Sequence, residues 1–136
     1  QRVKDTLRSF FQLGGRMIDT AVLYENHREI GQALRATVPR EEVFLVTKIP
    51  PTEMGTSETY AAVLKAVEEL GTHIDLVLLH WPSNFDKKAP LPPCASASWR
   101  SCRLQAWRGL ERAHEEGKVR SLGVSNFGVR HLTELL

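Results

Sequence analysis

Little in this chain marks it for an unusual environment. Its 136 residues hold two cysteines, Cys94 and Cys102, in an irregular stretch with neither the paired spacing nor the histidines of a zinc site. They read as reduced thiols of an intracellular protein. No apolar run approaches the roughly 20 residues that span a bilayer, and the opening Gln-Arg-Val-Lys is no signal peptide. The expectation is a cytosolic protein with no membrane partner. Charge of one sign is also lacking: 18 basic and 16 acidic residues are mixed along the chain for a net +2. No basic block is set up for nucleic acid. The absence of a G-x-G-x-x-G after a strand and of a P-loop removes a Rossmann dinucleotide site and a phosphate-cradling NTPase. Tyrosine and lysine one helical turn apart, as in short-chain dehydrogenases, are missing too, since Arg28 follows Tyr24 by four and Leu64 follows Tyr60 by four.

What is present is an alternation. A composition of 42% hydrophobic and 25% charged residues suits one globular domain over 1–136 with a core of its own. Val3, Leu7, Phe10 and Phe11 recur at helical spacing and stop at Gly14-Gly15, ahead of a strand from Arg16 to Thr20. Asn26 with Glu29 resembles a capping box, opening a helix with Ile30, Ala33 and Leu34 inside and Pro39 at its end. A strand from Val43 to Thr47 follows. Tyr60, Val63, Leu64, Val67 and Leu70 form an amphipathic helix closed by Gly71, leading to a strand from Ile74 to Leu79. Pro82 to Arg103 reads as irregular, before a helix with Leu104, Trp107, Leu110 and Ala113 that Gly117 ends. A strand from Val119 to Val124 and an amphipathic piece from Leu132 to Leu136 finish the chain. This order predicts a parallel sheet with right-handed crossovers.

In such folds the chemistry gathers at the carboxyl ends of the strands, and four polar side chains stand there: Asp19, Tyr24, Lys48 and His80. A phenol, whose ordinary pKa is near 10, is a poor acid at neutral pH unless a positive charge lies close. Lys48 supplies one, and Asp19 would hold that ammonium among apolar strands. Alone, Asp19 and Lys48 would read as a structural ion pair; with Tyr24 and His80 beside them they read as a site. His80 would orient a carbonyl toward the phenol. With no nucleophile or metal cluster in sight, this set suits protonation of a developing alkoxide, the hydride coming from a cofactor because side chains carry none. Ser125 and Asn126 could grip an amide or simply cap the next helix. Trp81 could wall a substrate pocket or belong to the core, whereas Trp107 belongs to the core.

The segment Gly15-Arg16-Met17-Ile18-Asp19-Thr20-Ala21, with Tyr24, Asn26 and Gly31, resembles the first signature of the aldo-keto reductase family. Val46-Thr47-Lys48 is similar to its lysine strand and Leu78-Leu79-His80-Trp81-Pro82 to its histidine strand. Gly117-Lys118-Val119-Arg120 with Gly123-Val124-Ser125-Asn126-Phe127 resembles its nicotinamide segment. The resemblance implies a (β/α)8 TIM barrel that binds NADPH and reduces aldehydes or ketones to alcohols, in the aldose- and aldehyde-reducing branch. Tyr24 would donate the proton, Lys48 and Asp19 would tune it, and His80 would orient the carbonyl. Ser125 and Asn126 would hold the carboxamide, and Asp19 would lie near the nicotinamide ribose. Histidine at 80, where a steroid-reducing branch has glutamate, points to carbonyl rather than double-bond reduction. The partner implied is a small carbonyl substrate, and the full-length protein would be a monomer.

A complete barrel takes eight strands and about 250 residues, and this sequence shows four strands. The expectation is a partial barrel, inactive by itself, lacking the first strand and the carboxyl-terminal half. The rival readings are a non-catalytic nucleotide-binding subunit, as in potassium-channel β subunits, and another barrel enzyme using Lys48 for Schiff-base chemistry. The stretch from Ala89 to Cys102 matches no family pattern and could be a lid or a floppy insertion.

Overall fold

The computed structural model describes residues 2–84 and 86–136; Gln1 and Phe85, the latter within the stretch read as irregular, lie outside the described residues. Helix α1 (Arg2–Gln12) leads to strand β1 (Met17–Asp19), followed by α2 (His27–Thr37), β2 (Phe44–Ile49), α3 (Thr56–Leu70), β3 (Ile74–Leu79), α4 (Trp99–Glu115), β4 (Val119–Val124) and α5 (Val129–Leu135). The sheet order is β1-β2-β3-β4, every pair parallel.

Register assigns each strand residue to a face. Ile18 lies opposite Leu45, Thr47 opposite Val77, and Leu79 opposite Val124. This is the face the helices cover, and Leu45, Ile49, Val77 and Leu79 are buried there with Val63, Leu70, Ala106 and Leu110. The other parity carries Asp19, Lys48 and Leu78. The two-residue repeat of a strand therefore separates a packing face from a face that holds polar groups.

Helix ends follow their signals where backbone conformation demands a particular residue. Gly71 takes φ +67° and donates its N–H to Val67 and Glu68 carbonyls, closing α3. Gly31 admits no side chain, since a Cβ there would stand 2.2 Å from the Leu70 carbonyl oxygen. The expected Asn26 capping box does not form. Asn26 occupies the N-cap, but its Oδ1 accepts from Thr20 Oγ1 at 2.9 Å, so the side chain ties the end of β1 to α2 instead.

Two corrections fall in the stretch read as irregular. A 3-10 turn covers Pro93–Ser96, and α4 begins at Trp99, earlier than expected, with Ser98 Oγ accepting from the Ser101 N–H at 3.1 Å. The cysteines are not reduced thiols: Cys94 and Cys102 are joined in a disulfide, their Cα atoms 5.1 Å apart. The turn and the first turn of α4 fold back on each other and bring together residues that the sequence leaves in an unformed loop. The bond removes reduced cysteine as an argument for an intracellular setting. Closing a loop of sequence separation 8 stabilises the folded chain by roughly 2–3 kcal/mol on loop entropy. Cys102→Ser should lower unfolding free energy by about that amount in urea titrations, with turnover of the full-length protein nearly unchanged. Loss of turnover without loss of stability would contradict this structural role.

At the amino end of the sheet, buried Asp75 accepts from the Leu45 N–H at 2.8 Å, from Arg40 at 2.6 Å and from Arg120 at 3.1 Å. Burial raises its carboxyl pKa, but the Leu45 and Arg40 hydrogen bonds outweigh it and hold the group below the ordinary carboxylate value. That network ties β2, β3 and β4 at the end away from the polar edge. At the sides, β1 and β4 are the outer strands of the sheet, and Met17 and Phe44 are exposed on the face opposite the helices. Open parallel edges beside an exposed apolar face favour pairing with another chain. This chain alone should self-associate in sedimentation velocity; a monodisperse monomer that unfolds cooperatively would refute that. Among the described residues no helix is long and apolar enough to cross a membrane.

Candidate active site

Each strand delivers its residue to one edge. Asp19 closes β1, and Tyr24 ends the 3-10 turn Val22–Tyr24 that follows it. Lys48 lies near the end of β2, His80 immediately follows β3, and Ser125 and Asn126 immediately follow β4. The turn carrying Tyr24 is anchored from both sides, by the Thr20 N–H on the Val46 carbonyl at 2.9 Å and by the Thr20–Asn26 side-chain bond.

The four residues meet. Lys48 Nζ donates to Asp19 Oδ1 and, at 3.1 Å, to the Thr20 carbonyl. It stands 5.4 Å from the centre of the Tyr24 ring. The Tyr24 and His80 rings lie 6.1 Å apart, edge to face at 83°. The Trp81 ring lies 6.3 Å from that of His80. Burial separates the roles: Lys48 is 7% exposed and His80 8%, whereas Tyr24 is 50% exposed. The ammonium and the imidazole are walled in, and the Tyr24 side chain is half exposed.

The backbone of His80 is fixed at both ends. Its N–H donates to the Ile49 carbonyl at 2.9 Å, and its carbonyl accepts from Asn126 Nδ2 at 2.8 Å. The Ser125 N–H donates to the Leu79 carbonyl at 2.8 Å. Asn126 sits at φ +61°, a left-handed conformation that asparagine tolerates better than most residues. Its Nδ2 also bonds Ser125 Oγ at 3.0 Å. Ser125 and Asn126 do not cap the next helix; Gly128 holds that N-cap position.

Burial lowers the His80 pKa, nearby Lys48 lowers it further, and Asp19 opposes both. Burial likewise lowers His27 against the pull of Glu69, and His73, helped by Arg40 and Arg120, against Asp75 and Glu41. Around His27 also lie Arg28, whose Nη2 is 3.7 Å from Glu69, Thr47, bonded to the ring at 2.9 Å, and Glu25, Glu29 and Lys65, which line the same surface cleft. Imidazoles held below their ordinary 6.5 bind fewer protons folded than unfolded. Their contribution is complete above pH 6.5 and is lost as pH falls below it through the folded-state values. Urea midpoints should therefore fall between pH 7 and 5; a flat profile would remove all three as contributors.

Several contributors carry no local sequence signal. Buried His27 bonds Thr47 on the helix-facing side of β2, beneath Lys48. Buried Arg103 in α4 pairs with Glu134 in α5, 31 residues along the chain, which no short-range pattern marks.

Parallel strands with helices on one face bring an acid, a phenol, an ammonium and an imidazole together at their carboxyl edge, the arrangement of a barrel-type site. The sequence profile of the Aldo/keto reductase family matches residues 1–136, and the chain belongs to that family. It is 41% identical over 133 residues to the 9,11-endoperoxide prostaglandin H2 reductase of Trypanosoma cruzi, covering 96% of this chain and 41% of that protein. It is 35% identical over 134 residues to the glyoxal reductase of Bacillus subtilis, covering 97% and 43%. Among solved structures, a Bombyx mori aldo-keto reductase in complex with NADP superposes with a TM-score of 0.82 at 29% identity, covering 97% of this chain and 43% of that one. The chain thus spans less than half the length of these relatives. Its structural neighbours are (β/α)8 barrels, and its four parallel strands and flanking helices form part of one.

Proposed function

We propose that the protein is an oxidoreductase that reduces aldehydes or ketones to alcohols with NADPH, Tyr24 giving the proton to the carbonyl oxygen. The observation that carries this reading is the meeting of Tyr24, Lys48 and His80 at one strand edge, with the phenol exposed and the other two buried. Lys48 stabilises negative charge as it builds on the phenol oxygen. Asp19 and the Thr20 carbonyl accept from Lys48 and keep its charge directed. His80, held at both backbone ends, presents a neutral ring as a hydrogen-bonding partner for the substrate carbonyl, and Trp81, its ring 6.3 Å from that of His80, would wall the pocket. The bonds on Lys48 argue against Schiff-base chemistry, which needs a free amine.

The residues present fit a nicotinamide group. Asn126 spends Nδ2 on His80 and Ser125, so its Oδ1 is the atom left to accept from an amide, and Ser125 Oγ stands beside it. When bound, the dinucleotide supplies the hydride that no side chain carries. Ser125 and Asn126 would hold its carboxamide, and Asp19 would lie near its ribose. Preference for NADPH over NADH rests on the relatives solved with NADPH and NADP. Alone, the chain would be inactive, because four strands do not close a barrel around the site.

The test is NADPH consumption by the full-length encoded protein against a panel of aldehydes and ketones. Turnover excludes a purely nucleotide-binding role of the channel-subunit kind. Cofactor binding without turnover on any carbonyl would overturn the reading.

A further inference from the structure

We infer that Arg103 is a positioning residue that locks the His80 turn and the Ser125-Asn126 turn into one unit. The inference rests on the proposed reading of the site only for its catalytic consequence. Arg103 lies in α4, outside the polar edge, yet its side chain is 7% exposed. Its Nη1 donates to the Pro82 carbonyl at 3.0 Å, two residues after His80. Its Nε donates to Glu134 Oε2 at 2.9 Å, and Nη2 donates to the same oxygen. Glu134 belongs to α5, the helix that the Ser125-Asn126 turn leads into, and is also approached by Arg130 at 3.7 Å. Hydrogen bonds to Arg103, aided by the charges of Arg103, Arg130 and His131, hold the Glu134 carboxyl below its ordinary pKa against the opposing effect of burial.

The bonds close a ring. From His80 the chain runs to Pro82, whose carbonyl meets Arg103; Arg103 meets Glu134; α5 runs back to Asn126; and Asn126 Nδ2 returns to the His80 carbonyl. Each contact alone fixes one loop to one neighbour. Closed together, they deny the two turns independent movement, so the group that would orient the carbonyl and the groups that would grip the carboxamide keep one relative placement. A planar guanidinium suits this task, having separate N–H groups for a carbonyl on one side and a carboxylate on the other. Lysine, with one compact ammonium, would satisfy these partners less completely.

The experiment uses the full-length protein with Arg103→Met, Arg103→Lys and Glu134→Gln. Amide hydrogen exchange is followed at His80 and Ser125, with buried Leu45 and Val63 as core references. Arg103→Met should speed exchange at both turns by about tenfold or more while the core references hold, as expected of a local opening. Glu134→Gln should act in the same direction, and Arg103→Lys should fall between wild type and Arg103→Met. In steady-state kinetics KM for the carbonyl and Kd for NADPH should rise by about tenfold, beyond what loss of active enzyme explains. Unchanged exchange at either turn, acceleration confined to α5, or uniform acceleration that includes the core would overturn the inference. If wild-type protein turns over no carbonyl, the proposed function fails, and the exchange pattern still decides whether Arg103 couples the turns. If exchange behaves as expected in an active enzyme but KM and Kd do not move, the catalytic consequence is refuted.

Discussion

Tyr24→Phe should remove all but a trace of carbonyl reduction in the full-length protein while leaving NADPH binding within about twofold. The substitution deletes one hydroxyl from a side chain that is half exposed, so almost no packing is lost and the fold is not disturbed. A positioned general acid contributes on the order of 10²–10⁴ in rate, which at 1.36 kcal/mol per decade is about 3–5 kcal/mol of barrier. The loss should appear in kcat and in kcat/KM alike, since the proton moves only as the transition state forms. Unchanged turnover would end the assignment of Tyr24, and lost cofactor binding would show the side chain to be structural.

Lys48→Met should have an effect of similar size through a different route. Methionine fills the volume of the lysine stem among the strands but removes the charge that stands 5.4 Å from the Tyr24 ring. The fold should bear the change, because the Asp19 side chain is 54% exposed and water can take over its solvation. Removing the buried partner leaves no unpaired charge among the apolar strands, which is what makes breaking a buried pair costly. A fall in kcat of roughly 10²-fold or more with a nearly constant urea midpoint is expected. A large loss of stability with kcat retained would make Asp19–Lys48 the structural ion pair that it resembles when viewed alone. Borohydride in the presence of substrate should trap nothing on Lys48 of the wild type; a covalent adduct there would favour the Schiff-base alternative.

Parts of the fold were legible because they depend on local chemistry. β3 and β4 run over the residues expected, Ile74–Leu79 and Val119–Val124, since β3 is a nearly continuous apolar run after Gly71 and β4 follows the helix stop at Gly117. Gly71 ended α3 as expected because a left-handed residue there favours glycine. α4 begins earlier than expected, at Trp99, because prolines and small residues obscure the helical period ahead of Leu104. Asn26 shows the opposite failure: the local pattern suited a capping box, and a partner from the preceding strand end, Thr20, took the side chain. The disulfide is not legible in the sequence, because spacing in a loop without assigned structure does not say whether the two sulfurs approach.

The site divides along the same line. The sequence by itself determined the family signatures, the alternation of strands and helices, and the residue types at the strand ends: Asp19, Tyr24, Lys48, His80, Ser125 and Asn126. Alternation is sufficient for this, since parallel strands with crossover helices must present their carboxyl ends together. Only the tertiary structure decided what those residues do to one another. It buries Lys48 and His80 and leaves Tyr24 open. It turns Asn126 onto the His80 carbonyl through a left-handed backbone, and it brings Arg103 from α4 to Glu134 in α5. These contacts join residues 29 to 46 positions apart. They form because packing the helices on one face of the sheet fixes which distant side chains share a space, and no periodicity along the chain records that.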